Sequence, residues 1–247
     1  MKFFKLVFYK IFGLKAYLKL VSKVYIKYIN NGFGKEKYPE IHYLKSIIKP
    51  GFTCIDIGAN LGYYSYFMVK LAGKTGKVYA VEPIPLFSEI WKRNLQKLKT
   101  VNLKLFPFAL GDSEKIVEMG MPAVDGVVHH GMTKVIDDEE TNFEKKFSVE
   151  MKNPDILFEN IEKVDFIKVD VEGYESEVFS NMIQTVIKHR PLIQSELSGV
   201  ENRSKCISIL AEIDYKPYIL KNDELILADD NVVKDYNGDF YFLYEVR

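Results

Sequence analysis

Apolar and polar positions along this chain switch repeatedly between the period of a buried strand and that of an amphipathic helix. Phe52 to Ile57 and Val78 to Val81 are near-continuous apolar runs, as strands covered on both faces tend to be. Between them, Tyr63 to Leu71 follows helical spacing and stops at Gly73, a residue suited to a left-handed C-terminal cap. The same alternation predicts a helix from Ile41 to Ile48, stopped near Pro50-Gly51, and one from Pro85 to Leu98 with its proline in the first turn. It also predicts strands from Leu103 to Leu110, Asp165 to Asp170 and Leu192 to Glu196, with a helix from Glu175 to Lys188 between the last two. Cys206 to Ile213 then reads as a helix, and Pro217 to Leu227 and Phe240 to Val246 read as closing strands. Strand and helix in alternation specify an α/β fold with a mainly parallel sheet and helices on both faces.

The turn after the first strand carries chemistry. It reads Ile55-Asp56-Ile57-Gly58-Ala59-Asn60-Leu61-Gly62 and leads into a helix whose first N–H groups lack partners. Gly58 and Gly62 allow a tight turn and close approach of a ligand. Glu82 ends the second strand, about twenty residues on, where an acidic side chain accepts hydrogen bonds from ribose hydroxyls in dinucleotide folds. Yet Asn60 stands where a dinucleotide loop needs its second glycine for a pyrophosphate, and no phosphate-binding lysine follows. A cofactor with adenine and ribose but no phosphate fits better. S-Adenosylmethionine is the candidate, with Asp56 facing its cationic methionine end.

Residues 1 to 30 contrast with everything after them. They hold seven lysines and no acidic residue, although the whole chain is neutral with 34 basic and 34 acidic residues. From Leu14 the apolar face is expected to run through Tyr17, Leu18, Val21, Val24, Tyr25 and Tyr28, with Lys15, Lys19, Lys23 and Lys27 on another face. Such a helix either packs on the domain or a partner subunit, leaving the chain open to homo-oligomer formation, or lies on an anionic membrane. It is too charged to span one, and no cleavage site completes a signal peptide. The chain therefore divides into a basic helical extension, residues 1 to 37, and one domain, residues 38 to 247. Zero net charge gives no global case for nucleic acid. Cys54 and Cys206 read as buried free thiols, which points to a cytoplasmic protein; a membrane contact through residues 1 to 30 would then be peripheral, at the inner face.

The segments CIDIGANLGYYS (54 to 65), VYAVEP (78 to 83), NLKLFPFALGD (102 to 112), VDFIKVDVEGYESEVF (164 to 179) and RPLIQSEL (190 to 197) resemble the FkbM-type methyltransferases in order and spacing. That resemblance implies a Rossmann-like class I fold, with a seven-stranded sheet whose last strand is antiparallel. It also implies S-adenosylmethionine-dependent methylation, usually of a hydroxyl oxygen; a sugar, glycan or natural product is the acceptor it suggests. Cofactor contacts are then expected at Asp56, Gly58, Ala59, Asn60, Gly62, Ser65, Glu82, Leu110 and Asp112, the last bordering the adenine. Asp170 and Glu172 are the leading candidates for positioning the acceptor or taking its proton. Only one of the two is expected to reach the acceptor, the other bracing the loop or holding the cofactor's ammonium.

Ser113 to Glu162 reads as a long irregular segment, of the kind that forms a lid. Within it lie His129 and His130, and His130 is an alternative base. Asp170 and Glu196 end neighbouring strands and could share a hard divalent cation, but the ligand set is incomplete and no metal is assigned. Two other classes stay open: a nicotinamide-dependent oxidoreductase, and a non-catalytic member recruited to a membrane or complex by its basic N-terminus.

Overall fold

A computed structural model describes residues 2–98, 102–124, 127–136, 143–236 and 238–245. A long helix, α1 (Lys2–Asn30), is broken at Gly13 and followed by α2 (Pro39–Ile47). The first half of the domain runs β1 (Thr53–Ile57), α3 (Tyr63–Ala72), β2 (Lys77–Val81), α4 (Pro85–Leu95) and β3 (Leu103–Phe106). Next come β4 (Ala109–Leu110), β5 (Lys115–Met121), β6 (Ala123–Val124), β7 (Val127–Val128), β8 (Lys134–Val135) and β9 (Lys145–Lys152). The second half runs α5 (Pro154–Phe158), β10 (Phe166–Val169), α6 (Glu175–Ser180), α7 (Ile183–His189), β11 (Leu192–Glu196), α8 (Val200–Ala211), β12 (Tyr215–Lys221), β13 (Glu224–Leu227), α9 (Asp230–Asp235) and β14 (Asp239–Tyr244).

One eight-stranded sheet has the order β13-β12-β14-β11-β10-β1-β2-β3. The five strands from β3 to β11 are parallel, and β14 enters antiparallel between β11 and β12. Seven of these strands form the expected Rossmann-like arrangement. The eighth is new, because the run from Pro217 to Leu227 folds back at Asn222 and Asp223, both with positive φ, as a β12–β13 hairpin rather than one strand. From β1 the chain steps outward to β2 and β3, then returns to β10 on the other side. The strand order therefore reverses between β1 and β10, where ligands bind in such sheets.

Burial explains which strand predictions hold. All five residues of β1 and all four of β10 are buried, so their apolar runs report the core directly. Elsewhere local chemistry intervenes. Pro107 follows β3 and lacks the N–H needed to continue a ladder; Ala109 and Leu110 pair instead with β9 in a second sheet, β4-β9-β5-β8. The described part of the stretch from Ser113 to Glu162 is accordingly not irregular: β5 and β9 form a long antiparallel pair. The helix expected from Glu175 to Lys188 is two helices parted at Asn181 and Met182, and α8 begins at Val200, ahead of Cys206.

The buried stripe of α1 also differs from expectation. Leu14, Leu18, Ser22, Ile26 and Ile29 turn inward, while Val24 and Tyr28 face outward. Leu14 and Leu18 join a core with Phe87 and Ile90 of α4 and with Val128 of β7. Lys15 and Lys19 bond Glu89 of α4 at 2.6 and 3.1 Å, which holds the register of the contact.

Candidate active site

The chain leaves β1 through Gly58 (φ 78°) and Asn60 (φ 48°) before entering α3. Gly58 and Ala59 donate their amides to the Val81 carbonyl at 3.0 and 2.9 Å, tying this turn to the end of β2. A Cβ on Gly58 would stand 1.8 Å from the Asp170 carbonyl oxygen. What this glycine excludes is therefore first a backbone collision between the loops after β1 and β10, and not only intrusion into ligand space. Gly62 (φ 87°) relieves similar crowding on the helix side, since a Cβ there would meet Leu95 and Trp91 of α4.

Glu82 follows β2 and is buried. Its Oε2 accepts the Asn60 amide at 2.8 Å and its Oε1 accepts the Ile84 amide at 2.7 Å. Burial outweighs these two donors and pushes its carboxyl up to about 8.

Asp56, Lys168 and Gln194 stand in register on β1, β10 and β11. Directly paired residues share a sheet face, so the three form a polar row across buried strands. Asp56 accepts the Ser65 hydroxyl, which in turn accepts the Trp91 indole N–H at 2.8 Å. Burial pushes Asp56 up to about 6, against the pull of Ser65 and Lys168. Lys168 is 1% exposed, with Nζ 3.5 Å from Asp170 Oδ2, 3.3 Å from Asp239 Oδ2 and 5.0 Å from the centre of the Tyr64 ring. Burial opposes its charge, but Asp170, Asp239 and Glu196 outweigh burial and hold the ammonium above its ordinary range. Gln194 Nε2 completes the row by donating to Asp239 Oδ2 and to the Tyr64 hydroxyl.

Beyond β10 the backbone is not extended, because Glu172 has φ 56°. Asp170 and Glu172 both line the same cavity. Burial, then Asp170 and Glu196, push the Glu172 carboxyl up to about 8; burial, Asp170 and Asp239 bring Glu196 to about 7. Glu175 braces this loop. Its carboxylate accepts the Val171 amide at 2.9 Å, the Gly173 amide at 3.1 and 3.2 Å, and the Asn202 side-chain amide at 2.6 Å.

These groups surround a cavity of about 220 Å³. Its polar end holds Asp56, Glu82, Lys168, Asp170 and Glu172, and its apolar walls include Pro83, Ile84, Phe108 and Leu110. Met119 and Val135 of the second sheet, with His130 and Thr133 from the turn before β8, supply a cover. His130 sits in a short turn, His130–Met132, with its ring edge-on to Phe87 at 6.0 Å. Burial and the neighbouring His129 pull its pKa down to about 4, so the ring is neutral at neutral pH and a weak base. Its carbonyl accepts the Asn60 side-chain amide at 3.4 Å, linking cover to loop. Asn60 Oδ1 and His130 Nδ1 are buried without a hydrogen-bond partner, so two polar atoms of this cavity await one.

Of the residues expected from sequence, Asp56, Gly58, Ala59, Asn60, Glu82, Leu110, His130, Asp170 and Glu172 meet at this cavity. Ser65 stands behind Asp56, and Gly62 packs on α4. Asp112 is brought elsewhere: after Leu110 the chain turns out at Gly111, and Asp112 is exposed and paired with Lys115 at 2.7 Å. His129 is exposed too. Among the described residues no three His, Cys, Asp or Glu side chains form a group that could hold a metal ion. Sequence reasoning missed Lys168 and Tyr64; the available signal was a lysine inside the otherwise apolar run Phe166 to Val169.

A family model described as the methyltransferase FkbM domain matches residues 56–218. Protein-L-isoaspartate O-methyltransferase of Methanothrix thermoacetophila is 34% identical over 65 residues, covering 26% of this chain and 30% of that protein. Methyltransferase sdnD of Sordaria araneosa is 29% identical over 155 residues, covering 52% of this chain and 59% of that protein. The chain thus spans less than two thirds of either relative. Among solved structures, methyltransferase FkbM of Methylobacillus flagellatus superposes with a TM-score of 0.50 at 13% identity, covering 83% of this chain and 50% of that one. That likeness is one of fold.

Proposed function

This chain belongs to the FkbM methyltransferase family, and we propose that it methylates a hydroxyl of a sugar, glycan or natural product. The donor that family and fold imply is S-adenosylmethionine, and the residues of the cavity fit it. Glu82 keeps lone pairs beyond those used by the two amides, and these can accept ribose hydroxyls. Pro83, Ile84, Phe108 and Leu110 offer apolar surface for an adenine, and Asp56 and Asp170 offer negative charge for the cationic end. Asn60 Oδ1 and His130 Nδ1 can gain partners from a ligand. When bound, the cofactor supplies a methyl group already activated on a sulfonium.

The chain's own work is then to orient the acceptor and accept its proton. Asp170 and Glu172 face the cavity beside Tyr63, Tyr64 and Tyr174, whose rings suit the apolar faces of a sugar. One of these carboxylates would accept the proton of the acceptor hydroxyl. Lys168 keeps Asp170 paired and in place. The nicotinamide alternative is disfavoured because the Asn60 side chain occupies the loop where a pyrophosphate needs bare glycine.

The observation carrying this reading is the convergence of Glu82, Asp56, Asp170 and Glu172 on one cavity where strand order reverses. Release of S-adenosylhomocysteine, screened against sugar nucleotides, oligosaccharides, polyols and an isoaspartyl peptide, tests it. Turnover with a hydroxyl acceptor, and a product whose new methyl is on oxygen, supports the proposal. Turnover confined to the isoaspartyl peptide, or methylation of nitrogen, would replace it.

A further inference from the structure

We propose that the outward face of α1 docks on an anionic membrane surface, independently of which acceptor is methylated. Charge is segregated along the chain. The seven lysines of residues 1 to 30 stand with no acidic residue among them, and because the whole chain balances at 34 against 34, the remainder is net acidic by the same seven. Lys15 and Lys19 are engaged with Glu89. Lys23 and Lys27 are exposed on the outer side of the packed helix, and Lys10 is exposed ahead of Gly13.

The apolar residues are distributed as a docking face requires. A helix packed on a domain ordinarily keeps one apolar stripe and turns polar residues to water. Here Leu14, Leu18, Ile26 and Ile29 fill the inner stripe, yet Leu20 and Val24 lie opposite them and are 45% and 59% exposed. On helical geometry Lys23 and Lys27 flank those two. Tyr28, stacked on Phe33, continues the exposed strip at the C-terminal end, and Ile11 and Phe12 are exposed ahead of the break. Gly13 (φ 76°, ψ 169°) interrupts the helix between Phe12 and Leu14, so the leading segment departs from the axis of the packed one. Apolar side chains interleaved with lysines fit the headgroup boundary of an anionic bilayer, where the chains enter the interface and the ammonium groups meet lipid charge. Among the described residues no helix is long and apolar enough to cross a membrane, and the proposed contact is parallel to the surface.

The full-length protein is sedimented with vesicles of phosphatidylcholine alone and of phosphatidylcholine with phosphatidylglycerol, at low and high salt. Two variants accompany it, Lys23→Glu with Lys27→Glu and Leu20→Ser with Val24→Ser; both alter only exposed positions, and unchanged thermal melting verifies their folds. Binding is expected to the anionic vesicles alone and to fall steeply with salt. The charge variant should lose about fivefold or more per lysine, and the apolar variant should bind more weakly even at low salt. Three results would overturn the proposal: no binding to anionic vesicles at low salt, equal binding to neutral ones, or a sedimentation-velocity dimer that Leu20→Ser with Val24→Ser dissociates while lipid binding is absent. The last would assign this face to a second copy of the chain.

Discussion

Asp56 and Lys168 stand directly opposite one another on adjacent parallel strands, one residue short of the carboxyl end in each case. Both are buried at 2% exposure or less. A lysine in such a place is stable only with charge partners, and Asp170 and Asp239 lie within ion-pair distance of it. Lys168→Met should therefore cost roughly 3 to 5 kcal/mol, the range for leaving buried charge uncompensated. The cost should depend on pH. Losing the ammonium raises the already elevated Asp56 further, so the penalty is largest above about 6, where the wild-type carboxyl is ionised, and shrinks at lower pH as carboxyls protonate in both proteins. Denaturant unfolding at pH 5 and pH 8 measures this; equal destabilisation at both would show that Lys168 acts by packing alone.

Gly58→Ala should be severely destabilising, because its new Cβ meets the Asp170 carbonyl and its backbone is left-handed. A loss above about 3 kcal/mol is expected, beyond the usual range for overpacking. Gly131 is the control, since a Cβ there meets nothing within 4 Å and needs no positive φ. Thermal melting of Gly58→Ala and Gly131→Ala should separate them widely, and similar melting temperatures would contradict the described closeness of the β1 and β10 loops.

Turnover should rise with pH toward a plateau above about 8 if Glu172 takes the acceptor proton, because a base works only when ionised and burial has raised this carboxyl to about 8. Glu172→Gln should lower turnover by roughly a hundredfold or more and abolish that limb, with cofactor affinity retained. If the limb survives in Glu172→Gln but activity vanishes in Asp170→Asn, the proton goes to Asp170. His130→Ala should leave the limb in place, since its ring titrates near 4.

Binding of S-adenosylmethionine at neutral pH should release protons. Glu82 is largely protonated there, with its carboxyl at about 8, and ribose hydroxyls donating to it favour the ionised form. Binding enthalpies measured in phosphate and in Tris should differ in the direction of proton release by the protein. Identical enthalpies in both buffers would remove Glu82 from the ribose.

The parts of the fold that were legible in the sequence are those whose burial is two-sided. Cys54 to Ile57 and Phe166 to Val169 read as strands because nothing on either face needs water, and the glycines beyond β1 mark where the chain must turn. The second sheet was illegible for the opposite reason. β5 and β9, Lys115–Met121 and Lys145–Lys152, are charged and mostly exposed over their outer halves, so their composition resembles loop. Lys168 escaped notice because its partners come from far along the chain. Asp239 reaches it only through the insertion of β14 beside β11. Glu172 and Asp170 are legible by residue type, whereas the left-handed turn of the backbone at Glu172 is not announced by the sequence. Asp112 misled because Leu110, two residues earlier, does line the cavity.

Everything proposed for the chemistry depends on the cavity between β1, β2 and β10 being the seat of the methyl donor. Isothermal titration calorimetry of the wild-type chain with S-adenosylmethionine, S-adenosylhomocysteine and NAD, repeated on Glu82→Ala after its fold is verified by melting, probes that seat without needing the acceptor. The expected result is one site per chain for the first two ligands, no measurable binding of NAD, and a loss of about 1.5 to 3 kcal/mol in Glu82→Ala, the range for hydrogen bonds to a charged group. Unchanged affinity in a folded Glu82→Ala protein, or binding of NAD in preference to S-adenosylmethionine, would contradict it.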